Sequence, residues 1–128
     1  MRIFKEKNLT ILTALYLVII LGFSSLPNAQ RYIDGRNLKD KIYHFSEYFI
    51  LGTLLAVSRK KFTIKYSCSI LFAGAIIALL DELHQHFIPG RVPSYQDFLA
   101  DIFGLLVAAS LVYYFGRKNQ LIAQYKPK

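Results

Sequence analysis

A long uncharged stretch near the start of the chain sets the strongest limit on how it folds. Leu9–Leu26 is 18 residues without an Asp, Glu, Lys, Arg or His. As a helix rising about 1.5 Å per residue it would be about 27 Å long, close to the ~30 Å hydrocarbon core of a bilayer. Soluble helices keep one polar face, and signal peptides have a shorter apolar region of about 7–15 residues. The stretch therefore predicts a transmembrane helix.

Three further apolar segments follow, at about residues 42–58, 66–87 and 95–116. Within the last two, only 15 residues each are free of formal charge, 66–80 and 102–116. Such a length covers about 22 Å, so these helices can cross a bilayer only if they continue through ionisable residues at one end. Charge buried in a membrane is costly and usually marks function.

These segments together predict an all-α integral membrane protein that forms one domain. We expect a compact bundle of four transmembrane helices, with spans at about 9–26, 42–58, 66–87 and 95–116 of a single domain over residues 1–128. The 54% hydrophobic content excludes a disordered chain, and the lone cysteine, Cys68, excludes a disulfide scaffold.

The basic residues predict how the bundle is oriented. Of the 16 Lys and Arg residues, 11 lie before the first span, between the second and third spans, or after the fourth. The positive-inside rule therefore predicts a multi-pass protein of the cell membrane with both termini in the cytoplasm. Because the short loops account for the net charge of +8, we expect the lipid bilayer, and no nucleic acid, as partner.

In this orientation the polar residues of three spans fall on one outer rim. The second span begins outside, the third ends outside and the fourth begins outside, so spacings of three and four residues give shared helix faces. The residues concerned are His44, Glu47, Tyr48, Asp81, Glu82, His84, Gln85, His86, Asp97 and Asp101. This convergence predicts a polar site at the outer rim.

The segment between the third and fourth spans has the composition of a turn. Pro89-Gly90 and Pro93 interrupt helices, and Ser94 is a suitable N-cap for the fourth span. Arg91 is the only basic residue in this loop. We expect it to pair with Asp81, Glu82 or Asp97, or to hold an anionic group.

Small residues spaced four apart predict where the helices pack. Helices in lipid approach closely only where side chains are small. The pairs are Gly52–Ala56, Gly74–Ala78, Ala100–Gly104 and Gly104–Ala108. We interpret them as packing surfaces that let the polar ends of the spans meet.

The rim residues match the pattern of a known family. The chain reads Asp40-Lys41-x-x-His44-Phe45-x-x-Tyr48-Phe49, then Asp81-Glu82-x-x-Gln85-x-Phe87-x-Pro89-Gly90-Arg91-x-x-Ser94-x-x-Asp97, then Gly104, with Ser24-Ser25-x-Pro27 ending the first span. This composite pattern resembles the VanZ-like family over nearly the whole chain.

The resemblance implies a class of protein and one departure from its pattern. The family consists of small bacterial membrane proteins whose namesake is associated with low-level resistance to the glycopeptide teicoplanin. It implies a site that acts on or binds a cell-envelope lipid or glycopeptide. The family commonly has Asn four residues after the loop aspartate, where this chain has Asp101. A second carboxylate there would favour a cation.

Several functions remain open for the rim residues. They could pair with one another, for example His44 with Asp81, and so tie the spans together. Glu47, Asp81, Asp97 and Asp101 would suit a hard divalent cation, and His44 would suit zinc. An enzyme would use His44, Asp81, Glu82, Gln85 and Asp97 for catalysis, and a binding site would use Lys41, Tyr48, Arg91, Ser94 and Asp101 for its ligand.

A non-catalytic membrane scaffold or partner-binding protein is the alternative to an enzyme. No serine or cysteine is placed as a nucleophile, since Cys68 falls near the inner end of the third span. The sequence leaves the oligomeric state and the presence of a metal open.

Overall fold

The computed structural model describes residues 6–27, 38–58 and 62–125, which form four helices. The helices are α1 (Glu6–Ser24), α2 (Leu38–Val57), α3 (Ile64–Gln85) and α4 (Tyr95–Tyr125). No strand occurs in these residues, so the all-α class is confirmed for them. Helix α4 has 31 residues and continues well past the predicted end near residue 116.

Three of the four helices are long and apolar enough to cross a membrane. The qualifying segments are Lys7–Ser24, Ile64–Gln85 and Tyr95–Gln124. Helix α2 does not qualify because it contains four charged residues, Lys39, Asp40, Lys41 and Glu47. Large apolar side chains such as Val18, Phe72 and Phe103 are more than half exposed. Such a surface suits acyl chains better than water.

The core is small and centres on the contact between α2 and α4, the most extensive in the bundle. Leu105 of α4 is fully buried, and glycines of the two flanking helices make room for it. A Cβ on Gly74 would lie 2.7 Å from the Leu105 side chain, and one on Gly52 would lie 3.0 Å from the Ala108 Cβ. The small residues are therefore packing surfaces, as expected.

Gly104 is where α4 approaches the backbone of α2 most closely. A Cβ there would lie 2.4 Å from the Phe45 carbonyl oxygen and 2.9 Å from the Phe49 amide nitrogen. Only glycine allows this approach, since a backbone cannot move aside as a flexible side chain can. The contact lies one helical turn from Asp101 and thereby brings that carboxylate to α2.

Helix α1 places Ile20 in the core and also makes polar contacts with α2 and α3. The Tyr16 hydroxyl donates to the Glu47 carbonyl of α2 at 3.1 Å. The Ser25 hydroxyl lies 2.9 Å from His84 Nε2, which joins the end of α1 to the end of α3. These contacts place α1 beside the polar end of the bundle.

Candidate functional site

Three helix ends meet in one buried group of polar side chains, which we call the rim cluster. It consists of Asp40, Lys41, His44, Tyr48, Asp81, Glu82, Gln85, Asp97 and Asp101. All except the half-buried Lys41 are buried, and Tyr48, Asp97 and Asp101 have no exposed surface. The start of α2, the end of α3 and the start of α4 supply these residues, which lie far apart in sequence.

His44 occupies the middle of the cluster, between two carboxylates of α4. Its Nδ1 lies 3.0 Å from Asp101 Oδ1, and its Nε2 lies 4.0 Å from Asp97 Oδ2. Asp97 and Asp101 are one turn apart, so the imidazole ring bridges successive turns of α4. The partner of His44 is therefore Asp101, and the suggested pairing with Asp81 is not seen.

Lys41 neutralises the other α4 carboxylate. Its ammonium group donates to Asp97 Oδ1 and lies 3.5 Å from Asp40 Oδ2. Burial lowers the pKa of Lys41, but the hydrogen bond and charge of Asp97 outweigh it, so the net change is a raised pKa. Burial, followed by the charge of Asp97, raises the pKa of Asp40. Lys41 thus has carboxylates of the chain itself as partners.

Asp40 is the cluster residue that sequence reasoning did not assign to the site. It belongs to the matched pattern and stands four residues before His44, so a shared helix face was available as a signal. It lies in the first turn of α2, and its side chain is buried.

Glu82 connects the end of α3 to the start of α4. Its Oε2 accepts a hydrogen bond of 3.0 Å from the backbone amide of Ser94, directly before α4 begins. One turn along the same face, Gln85 Nε2 donates to Asp81 Oδ2 at 3.4 Å. The two expected acidic residues of α3 therefore point into the bundle.

Arg91 does not make the ion pair that the sequence suggested. Among the described residues no carboxylate lies within ion-pair distance of it, and its Nη2 donates instead to the Phe23 carbonyl at 2.7 Å. Gly90 adopts a φ of 78°, a left-handed turn that suits glycine, and the chain there leads Arg91 toward the end of α1. The free carbonyls at a helix C-terminus attract a guanidinium.

Several buried oxygens of the cluster have no hydrogen-bond partner among the described residues. They are one oxygen each of Asp40, Asp81, Glu82, Asp97 and Asp101, and the hydroxyl of Tyr48. Buried polar groups almost always have partners, so this concentration is unusual. An ionised carboxylate only accepts hydrogen bonds, so the cluster can hold protons, a cation or a hydrogen-bond donor.

Two sets of residues have the geometry to hold a metal ion. One is Asp40, His44 and Asp97, and the other is His44, Glu82 and Asp101. In each set the possible ligand atoms lie within 4.8 Å of one another. His44 belongs to both sets, and each nitrogen of its ring can bind only one ion.

The other expected residues lie outside this buried group. Glu47 is half-buried, and His86 is exposed. An apolar groove of about 410 Å³ lies between α2 and α4 and is lined by residues such as Phe49, Phe62 and Phe115. None of the described residues that line it is charged, so the groove differs from the rim cluster in position and in chemistry.

Fold and cluster together define a helical protein with membrane-type helices and a buried acidic site at one end. The sequence profile of the VanZ/LLP1 family matches residues 4–116, and the chain belongs to this family. No curated protein and no solved structure matches the chain.

Proposed function

We propose that this VanZ/LLP1 protein crosses the cell membrane four times with both termini in the cytoplasm. Helices α1, α3 and α4 provide three of the crossings. The remaining crossing is α2, whose residues 42–57 carry a single formal charge, Glu47. Glu47 is half-buried and faces the polar end of the bundle, so it need not contact acyl chains. The charged start of α2, Lys39 to Lys41, would then lie at the outer surface beside the rim cluster.

The single cysteine of the chain offers a direct test of this orientation. Cys68 is exposed on α3, near the end opposite the rim cluster. In intact cells, a membrane-impermeant maleimide should fail to label Cys68 until the membrane is opened. In a Cys68→Ala background, Val92→Cys places a thiol at a 68% exposed position of the α3–α4 connection and should be labelled from outside. The reverse labelling pattern would indicate that the protein has the opposite orientation in the membrane.

We further propose that the rim cluster binds the polar part of a cell-envelope lipid or glycopeptide. The observation that carries this proposal is the set of buried acceptor oxygens without partners. Sugar hydroxyls, amides and ammonium groups are hydrogen-bond donors, so a donor-rich headgroup would satisfy these acceptors. Leaving each acceptor unpaired costs about 1–3 kcal/mol, which a fitting ligand would recover.

In this proposal the residues have distinct tasks. Lys41, which is half-buried, and Glu82, which is 6% exposed, meet the headgroup first, while fully buried Asp97 sets the charge behind them. Proton transfer, if the bound molecule reacts, falls to His44, Asp81, Glu82, Gln85 and Asp97. Ligand contact falls to Lys41, Tyr48, Arg91, Ser94 and Asp101.

A second candidate is a scaffold whose rim cluster only joins the helices. The hydrogen bonds His44–Asp101 and Ser94–Glu82, together with the Lys41–Asp97 ion pair, favour it because they connect α2, α3 and α4. Such pairs could fix helix register with little gain in stability.

Teicoplanin susceptibility, measured together with the amount of protein in the membrane, distinguishes the two candidates. The chain is expressed in a susceptible bacterium, alone or with Glu82→Gln, and Leu83→Ala serves as a neighbouring control on an exposed face. A binding site predicts that Glu82→Gln accumulates normally and loses its protection, while Leu83→Ala keeps it. A scaffold predicts that accumulation and protection fall together. Unchanged protection at unchanged level would contradict both.

A further inference from the structure

Among the described residues, the rim cluster holds more negative charge than its cations can balance. Five buried carboxylates belong to it: Asp40, Asp81, Glu82, Asp97 and Asp101. Lys41 and a protonated His44 would supply two positive charges, and Arg91 is bound to a carbonyl elsewhere. Each uncompensated buried charge costs several kcal/mol, even after relaxation. The cluster therefore requires protons or a cation.

In one of the two residue sets with metal-binding geometry, Lys41 already pairs with the carboxylates. Lys41 contacts both Asp40 and Asp97, so a metal ion at Asp40, His44 and Asp97 would face an ammonium group. Like charges this close are repelled strongly in a medium of low dielectric constant. The set of His44, Glu82 and Asp101 has no lysine or arginine within ion-pair distance among the described residues.

The atoms of the second set fit a small ion. His44 Nδ1 and Asp101 Oδ1 are 3.0 Å apart. Two ligands at about 2.1 Å from one metal ion, at nearly a right angle, are separated by about 3 Å. Glu82 Oε1 and Asp101 Oδ2 are buried without a partner, on side chains that are 6% and 0% exposed. Two acceptor oxygens therefore remain for the ion.

We propose that His44, Glu82 and Asp101 bind a divalent transition-metal ion such as Zn²⁺ or Mn²⁺. One imidazole with two carboxylates is a mixed nitrogen and oxygen set, whereas Mg²⁺ and Ca²⁺ prefer oxygen ligands alone. Asp101 and Glu82 contribute the two carboxylates.

The metal site has a consequence for the chemistry of the rim. Three protein ligands leave at least one position of the ion for water or a ligand atom. Because a metal-bound His44 is neutral, Lys41 alone would face the five carboxylates, and the two positive charges of the ion would offset half of the remaining excess. The metal site does not rest on the proposed headgroup binding, because the ion would bind the purified chain without any lipid or glycopeptide.

Metal binding by the full chain, purified in detergent, tests the proposal. The protein is stripped with EDTA and dialysed, then titrated separately with ZnCl₂, MnCl₂, MgCl₂ and CaCl₂. Bound metal is counted by elemental analysis, and melting is followed by size-exclusion chromatography after heating. We expect one Zn²⁺ or Mn²⁺ per chain and a higher melting temperature, with weaker effects of MgCl₂ and CaCl₂.

Two variants locate the ion. Asp101→Asn keeps the size of the side chain and removes a ligand charge, and it should weaken binding at least about tenfold, since even outer-shell changes cost about 10–100-fold. Asp40→Asn changes a buried carboxylate of the competing set and should bind as the unaltered chain does. Loss of binding in Asp40→Asn but not in Asp101→Asn would overturn the assignment. The number of metal ions bound per unaltered chain decides the question even if a variant fails to fold. The proposal is overturned if this chain binds no stoichiometric metal, or if it binds only Mg²⁺ or Ca²⁺.

Discussion

Replacing Gly104 by alanine should loosen the contact that builds the rim cluster. The new Cβ would lie 2.4 Å from the Phe45 carbonyl oxygen, while ordinary contacts begin near 3.4 Å. Helix α4 would have to move from α2 by about 1 Å, because interiors are close-packed and the obstacle is backbone. Asp101 lies one turn away, so its 3.0 Å separation from His44 would grow to about 4 Å, beyond hydrogen-bond length.

The structure gives the size of this effect. Overpacking of a tight contact costs about 1–3 kcal/mol, and loss of a hydrogen bond to a charged group costs about 1.5–3 kcal/mol. These costs overlap, so we expect a loss of about 2–5 kcal/mol in the free energy of unfolding. For a chain of this length that corresponds to a melting temperature lower by about 10 °C or more.

Gly22→Ala is the matched control for this experiment. Gly22 also lies within a helix, and a Cβ there would have nothing within 4 Å. Alanine should leave stability unchanged or raise it by about 0.5–1 kcal/mol through its helix propensity. Both variants are heated in detergent and passed over a size-exclusion column. Equal melting temperatures for Gly104→Ala and Gly22→Ala would refute the close approach of α4 to α2.

Three further changes probe the cluster. Lys41→Met should lower the free energy of unfolding by about 3 kcal/mol and reduce membrane accumulation, because Asp97 loses its cation. Adding Asp97→Asn should restore part of this stability. Equal losses in the single and the double variant would contradict the Lys41–Asp97 pairing. The raised pKa of Asp40 means that its ionisation opposes folding as pH rises above the ordinary value of 3.8. Asp40→Asn should therefore melt higher at pH 7, with the gain shrinking toward pH 3.8; a gain independent of pH would be unexpected. Tyr48→Phe should keep its thermal stability, since the hydroxyl has no hydrogen-bond partner among the described residues, but it should reduce teicoplanin protection if that hydroxyl meets the ligand. A clear drop in melting temperature would reveal a structural partner instead.

The helices could be predicted from the sequence because lipid imposes a simple rule. A segment must be apolar over about 20 residues to cross a bilayer, and uncharged stretches such as Leu9–Leu26 are directly visible. Helix α2 is harder, since its charged start, Lys39 to Lys41, lowers the apolar character of the whole helix. The far end of α4 was missed because a helix leaving the membrane can continue in water without an apolar pattern.

Most members of the cluster were also predictable, but Asp40 and the pairings within the cluster were not. Spacings of three and four residues placed His44, Asp81, Glu82 and Asp97 on faces that the topology turns toward one rim. Which acid meets His44 depends on about one ångström of helix position, set by Gly104 against the backbone of α2. The suggested ion pair of Arg91 is not seen among the described residues because the α3–α4 turn directs its side chain to the end of α1, a contact 68 residues away in sequence.

The most direct test of the central claim is the set of lipids that the protein retains. The unaltered chain, Glu82→Gln and Leu83→Ala are extracted from the same bacterial membranes in mild detergent, purified in equal amounts and examined by mass spectrometry. If the rim cluster binds an envelope molecule, a lipid with a headgroup rich in hydroxyl or amide groups should be enriched with the unaltered chain and with Leu83→Ala, and depleted with Glu82→Gln. Identical lipid profiles for all three proteins would contradict a binding site at the rim cluster.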